Sequence, residues 1–243
     1  MKPIIFPPNE TAFQTNGLGR IDPIKCIVTE ERNGQFELET VVSIDDPHFS
    51  DLEEGVILYC RHDDTSDKQP FEIYKITRPI NGKVTVFAHH ITYRTTKMVV
   101  MPFTADSLSG ALTGLRENSV TTCPFTFWTD KTVSAAFSVK EPVSMRSRLA
   151  GTEGSILDVF GTGEYEWDKF QIKLHLHRGS DTGVVVKYGK NITDIKKTTD
   201  ATNLWTGVCP FWHGLDPDTR TRLFLGDAAS SMYASSLSQS TSV

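Results

Sequence analysis

Two of the seven histidines in this chain, His175 and His177, are separated by a single residue. On a β-strand, residues two apart share a face, so the two imidazoles would stand side by side. That spacing can hold a metal ion, and in a three-fold assembly two such residues per subunit would bring six nitrogens to the axis. The same pattern fits two histidines that simply occupy the polar face of an alternating strand. His89 and His90 are adjacent and point to opposite faces of their strand, so they cannot chelate together. Cys123 and His213 could form a thiol–imidazole pair, but Pro124 follows the cysteine directly and no nucleophile motif surrounds it. Asp45-Asp46 and Asp63-Asp64 lie in polar, turn-like stretches and read as solvated turn carboxylates rather than a glycosidase pair. Gly161-Thr162-Gly163 is followed by Glu164 and Glu166 where a phosphate-binding loop needs lysine. Arg146-Ser147-Arg148 and Lys196-Lys197 are short basic spots, either solvated faces or, on the wall of a ring, residues facing passing DNA. The residues thus assemble no nucleophile–base pair, no metal triad and no cofactor motif, and the chain reads as a non-enzyme without a cofactor.

Composition agrees with a protein that buries a core. The chain has 243 residues, 38% hydrophobic and 23% charged, with a net charge of -5. That length suits one large or two modest domains, and the charge gives no polyanion-binding signal. No apolar run approaches the roughly 20 residues of a membrane helix. The start, Met-Lys-Pro-Ile-Ile-Phe-Pro-Pro, is too short and proline-broken for a signal peptide, so assembly in a cytoplasm is expected. Cys26, Cys60, Cys123 and Cys209 are far apart and form no CxxC pair; buried free thiols are expected.

The elements that must position these residues are mostly strands. Residues 1–22, rich in Pro, Asn and Gly, read as an extended arm that Phe6 and Phe13 could pin to a surface. Ile24–Glu31 and Gln35–Ile44 flank Asn33-Gly34, a strong hairpin signal in which both turn residues want positive φ. Phe36, Leu38, Val42 and Ile44 mark the inner face of the second strand. Gly55–Arg61 is a third strand, and 71–78 with 83–90 form a hairpin around Asn81-Gly82. After Tyr93 the character changes. Ala105–Asn118 carries Leu108, Ala111, Leu112 and Leu115 at helical spacing, with Asp106 or Ser107 as cap. Phe125–Trp128 and Ala136–Val139 are short strands, and Pro142–Ala150 and a segment around Ile156–Phe160 are short helices. Tyr165 and Trp167 alternate with Glu164, Glu166 and Asp168. Past a turn at Asp168-Lys169, Phe170, Ile172, Leu174 and Leu176 share one face. Val184–Tyr188, Ile192–Ile195, Asn203–Trp212 and Arg220–Leu225 complete an antiparallel meander. The fold class is α+β, mainly β, with barrel-like or meander domains and a few short helices. The pattern divides into an arm (1–22), β-rich parts (23–98 and 165–225), a mixed α/β insert (99–164) and a serine-rich tail or linker (226–243). Read as a linker, that last segment would lead into further chain.

The stretch EGSILDVFGTGEYEWDKFQIKLHLHRGSDTGVVVKYGKNITDIKK resembles the signature of phage minor structural proteins, the N-terminal hub modules of tail-associated lysins, also called prophage endopeptidase tail proteins. Asn16-Gly-Leu-Gly19, Glu30-Glu-Arg-Asn-Gly34, Gln69-Pro-Phe71 with Ile73-Tyr74, Ala88-His-His-Ile-Thr-Tyr93 and Thr206-Gly207 extend the resemblance over roughly residues 13 to 225. It implies a baseplate-hub-like fold similar to that of contractile-tailed phages, and a virion protein at the tail tip that closes the tail tube. It further implies a homotrimer with a central channel through which DNA passes, contacts with the distal tail protein and the tape measure protein, and downstream domains for cell-wall attachment or penetration. It carries no catalytic motif with it. The alternatives are a peptidoglycan hydrolase active within this chain, and a carbohydrate-binding module using Trp128, Trp167, Trp205 and Trp212, although Trp167 alternates like a core residue.

Overall fold

The computed structural model describes residues 2–62, 66–77, 82–179, 181, 183–185, 187, 211–212 and 223–224. The chain divides into two units, Met1–Ser180 and Asp181–Val243. In the second, β15 (Phe211–Trp212) pairs antiparallel with β16 (Leu223–Phe224), while Gly183–Val185 carry no strand. The strand read at Ile192–Ile195, the Lys196-Lys197 pair, Cys209, His213 and the serine-rich tail lie outside the described residues, as do Asp63-Asp64 and Trp205.

The first unit opens with β1 (Ile4–Phe6), β2 (Gly19–Arg20), β3 (Lys25–Glu30), β4 (Phe36–Ser43), β5 (Ile57–Arg61), β6 (Lys68–Thr77) and β7 (Lys83–His90). They form one antiparallel sheet in the order β2-β1-β5-β6-β7-β4-β3. Alternation sets its inner face: Phe36, Leu38, Thr40 and Val42 of β4 are buried, and so are Val84, Val86, Ala88 and His90 of β7. Connectivity dictates its shape. The two edge strands, β2 and β3, are joined only by Ile21–Ile24. Such a link spans at most about 18 Å, whereas the edges of a flat seven-stranded sheet stand about 29 Å apart. The sheet must roll up, and it forms a curled half-barrel. Its two sides meet where Glu30 of β3 approaches His62, just past β5, at 3.5 Å, with the His62 ring edge-on to Phe36.

Several local expectations change. The arm expected over residues 1–22 contains β1, whose three residues are all buried between β2 and β5. Beyond it the chain folds back, and the Glu10 carboxylate accepts the N–H groups of Thr11, Ala12 and Phe13. Phe13, at φ 50, stacks on Tyr59 at 4.6 Å. In the first hairpin only Asn33 takes positive φ (56), because the loop closes with Gly34 N–H on Glu31 O and Glu31 N–H on Gln35 O. Ile44 lies past the end of β4 and is 50% exposed. A bulge between Ile73 and Lys75 in β6 leaves Tyr74 out of register.

Residues after Tyr93 form β8 (Val99–Val100), β9 (Phe103–Ser107), α1 (Leu108–Glu117), β10 (Thr126–Thr129), β11 (Ser134–Val139), β12 (Val143–Ser144), α2 (Met145–Leu149), α3 (Ile156–Val159), β13 (Glu164–Asp168) and β14 (Gln171–His175). Ser107 caps α1 by accepting the Gly110 N–H. The helix buries Leu108, Ala111, Leu112 and Leu115 along one stripe, and its Gly114 sits against the Phe103 ring. The helix expected at Pro142–Ala150 starts only at Met145, because Val143-Ser144 pairs with Val100-Val99. β13 and β14 form the expected hairpin. The third strand of that sheet is a correction to the meander: β10 lies parallel to β14, with Thr126 opposite Gln171. A parallel partner needs a long crossover, here everything from β11 to β13.

Candidate functional site

The hairpin register brings charges together on the outer face of the small sheet. Glu166 stands opposite Lys173, Glu164 opposite His175, and Asp168 opposite Gln171. Lys173 Nζ lies 2.9 Å from both Glu166 and Asp168. Burial by itself would raise both carboxyls, but the hydrogen bonds from Lys173, joined by His175 on Glu166 and Gln69 on Asp168, outweigh it and hold both below their ordinary values. Burial likewise opposes the charge on Lys173, yet its two carboxylates raise it above the usual lysine value.

This lattice continues into the half-barrel. Gln69 of β6, which is buried, donates from Nε2 to Asp168 at 3.2 Å. Its Oε1 accepts the Lys169 N–H at 2.7 Å and faces His90 Nε2 at 3.3 Å. The Thr92 N–H donates to His90 Nδ1, so Nδ1 is the acceptor and Nε2 carries the proton toward Gln69. His90 is fully buried and lies face to face with Phe36, ring centroids 4.6 Å apart. Burial, with the nearby Arg146 charge adding to it, pulls its pKa down to about 3. A polar spine therefore runs Thr92–His90–Gln69–Asp168–Lys173–Glu166–His175, from the inside of the half-barrel to the outer face of the small sheet.

A second link is aromatic. Arg146 of α2 places its guanidinium 4.7 Å from the Tyr93 ring centroid and 4.3 Å from that of Trp167. Trp167 stacks on Tyr165, and on the other side Tyr93 stacks on His89, which stacks on the bulged Tyr74. Beside the spine, Glu30, His62, Gln69, Trp167, Asp168 and Arg178 line part of a cavity of about 350 Å³. Arg178 crosses it to Glu30 at 2.7 Å.

The two histidines chosen from spacing part company here. His175 ends β14, with Nε2 on Glu166 at 2.7 Å and its ring under Trp128. His177 lies beyond the strand and is exposed. No group of three or more His, Cys, Asp or Glu with metal-binding geometry occurs among the described residues. Cys123 is buried, its thiol donates to Phe125 O at 3.8 Å, and burial pushes it above the usual thiol value. Arg146 is half-buried in the stack, whereas Arg148 reaches Glu153 O. Asp46 accepts the Asp22 and His48 N–H groups, as a turn carboxylate does. No local signal in the sequence gives Gln69, Glu30 or Arg178 a place in this site, although Glu30 and Gln69 fall in the stretches that carry the family resemblance. The cross-strand charges of Glu166 and Lys173, by contrast, follow from the Asp168-Lys169 turn.

No family model matches the sequence, and no curated protein matches it. The fold is similar to that of prophage tail protein gp18 from Listeria monocytogenes. The two superpose with a TM-score of 0.57 over 96% of this chain and 70% of that one, at 13% sequence identity. The likeness extends along nearly the whole chain, and at that identity it is a likeness of fold. No helix among the described residues is long and apolar enough to cross a membrane.

Proposed function

We propose that this chain is a structural protein of a phage or prophage tail, located in the virion at the tail tip, where it forms the baseplate hub. The observation that carries the reading is the shared fold with a prophage tail protein over 96% of the chain. The hub role itself comes from the resemblance of the 153–197 stretch to hub modules. In this reading three copies close into a ring below the tail tube, held by head-to-tail interfaces. The ring contacts the distal tail and tape measure proteins, and DNA passes through its centre. The site serves a structural role, in which the spine and the Arg146 stack hold the small sheet in one orientation on the half-barrel. The chain itself then performs no hydrolysis, and attachment or penetration belongs to domains carried with it.

Immunogold labelling of tail particles with antibodies to this chain tests the proposal, alongside light scattering of the purified protein at several concentrations. Label confined to the tip, with a trimer at high concentration or micromolar binding to the distal tail protein, about −8 kcal/mol, is the expected result. Label along the whole tail or absent from it, or turnover of peptidoglycan that is lost on changing Cys123, would refute it.

A further inference from the structure

Among the described residues the small sheet ends in β13, and the backbone groups on that edge meet the side chain of one residue. Asn33, at the tip of the β3–β4 hairpin, donates from Nδ2 to Gly163 O at 2.8 Å, and its Oδ1 accepts the Tyr165 N–H at 2.7 Å. A carbonyl and an N–H two residues apart are the pair that an adjoining parallel strand would take from such an edge, so the Asn33 amide stands in for that strand. The rest of the tip is held as well. Asn33 sits at φ 56, and the Gly34 N–H donates to Glu31 O at 3.1 Å. Arg146 Nη2 donates to Gly34 O at 3.4 Å, and Arg32 pairs with Glu164 at 3.1 Å.

We propose that Asn33 is a deamidation site that this docking keeps closed, and that its conversion, once the joint opens, stops the joint from re-forming. In the reaction the Gly34 nitrogen loses its proton and attacks Asn33 Cγ; with no Cβ on Gly34, nothing hinders its approach. A C–N bond forms, the Cγ–Nδ2 bond breaks, and Nδ2 leaves with a proton as ammonia. Water then opens the five-membered imide. Opening at Cγ gives aspartate, and opening at the main-chain carbonyl gives isoaspartate. One water enters for each ammonia released, and nothing is oxidised or reduced. Ring closure needs the Asn33 side chain turned back on its own peptide and the Gly34 N–H set free. The docked hairpin holds the amide by both ends on β13 and the N–H on Glu31, so the reaction waits for local opening. Aspartate puts an oxygen where Nδ2 faced Gly163 O, and two acceptors then confront each other. Isoaspartate adds a backbone methylene to a loop closed by the Glu31 N–H on Gln35 O. Either way the edge of β13 is left uncovered, and open edges pair with other chains. The chemistry rests on this joint alone and does not depend on the tail-hub reading.

The test is peptide mapping by mass spectrometry of the full chain held at mildly alkaline pH, with isoaspartyl methyltransferase labelling to mark isoaspartate. Conversion replaces NH2 by OH in the peptide that contains Asn33. The reference is the same chain in strong urea, where Asn33 and the chain's other Asn-Gly pair, Asn81-Gly82, should convert at similar rates. In the folded chain Asn33 should convert more slowly than in strong urea by roughly tenfold or more. In urea below the main unfolding transition its rate should already rise, because the joint opens before the core. In Asn33→Asp, one product made directly, the Tyr165 N–H should exchange with D2O roughly tenfold faster or more. Equal rates for the folded and unfolded chains, a rate that stays flat until the whole domain unfolds, or an Asn33 that survives strong urea while Asn81 converts would overturn the proposal. So would a folded Asn33→Asp chain that protects Tyr165 as the wild type does. The wild-type urea series decides the question even if the variant fails to fold.

Discussion

Acid should loosen this protein from its centre, starting at His90. The folded chain holds that imidazole neutral: Thr92 N–H occupies Nδ1, Phe36 and Phe71 cover the ring, and none of its surface is exposed. Its pKa falls to about 3 from an ordinary 6.5. A base whose folded pKa lies below its unfolded value takes up its proton in the unfolded chain first. Its contribution to stability is therefore intact above pH ~6.5 and is lost as the pH falls toward about 3. Each unit of difference is worth about 1.4 kcal/mol, so roughly 2 kcal/mol is lost by pH 5 and on the order of 5 kcal/mol by pH 3. Those are large fractions of the 5–15 kcal/mol that holds a typical domain. The perturbation that isolates the effect is His90→Gln, which keeps a donor toward Gln69 and removes the titrating ring. Urea unfolding at pH 7 should show the variant destabilised by about 1–3 kcal/mol, from the unmet Thr92 N–H and the lost ring packing. At pH 5 the gap between the two proteins should shrink by about 2 kcal/mol, because only the wild type carries the penalty. Other groups, including His89, whose pKa burial also lowers, are common to both proteins and cancel in the difference. A gap that stays constant within about 0.5 kcal/mol between pH 7 and pH 5, or a His90 proton resonance titrating near 6.5, would refute the reasoning.

The Arg146 stack predicts a coupling that packing alone would not give. In a double-mutant cycle with Arg146→Met and Trp167→Leu, the two changes should fall short of additivity by about 1 kcal/mol, read from urea midpoints. Gly114→Ala, a change that favours an isolated helix by about 1 kcal/mol, should here cost about 1–3 kcal/mol. Its added methyl would lie 2.1 Å from the Phe103 ring, and Phe103→Leu in the same chain should recover most of that loss in a thermal melt.

Wherever one face of a strand meets water, the sequence speaks clearly. β7 runs from Lys83 to His90 as its alternation indicates, and Tyr165 and Trp167 go inward while Glu164, Glu166 and Asp168 stay partly open. The helix from Leu108 and its Ser107 cap were equally legible, because the 3.6-residue period and the cap chemistry are local. β1 was not, for a physical reason. Ile4, Ile5 and Phe6 are covered on both faces, so no alternation marks them, and the prolines on either side suggest an arm. The parallel placement of β10 beside β14 depends on packing across more than forty residues of chain, which no local signal encodes. The spine has the same difficulty: Gln69 meets Asp168 across a sequence separation of 99. From the sequence alone Gln69 is one polar residue beside a proline, and only the fold shows that it is buried with both ends of its amide engaged.

The spine also explains how two apolar surfaces can settle on one arrangement. Burial of apolar area is non-directional, and the small sheet could slide on the half-barrel with little loss of contact. Gln69 cannot follow such a slide. Its Oε1 must meet His90 Nε2–H and Lys169 N–H together, while its Nε2–H reaches Asp168. Moving β13 by one residue would bring the indole of Trp167 or the ammonium of Lys169 to the place of that carboxylate, since neighbouring positions on a strand point to opposite faces. A buried amide would then lose its acceptor, at a cost of about 1–3 kcal/mol, and Arg146 would leave the gap between Tyr93 and Trp167. Both links fail under the same displacement, so together they select one register where apolar contact alone would tolerate several. What the spine and the stack contribute is therefore selectivity of arrangement more than additional stability.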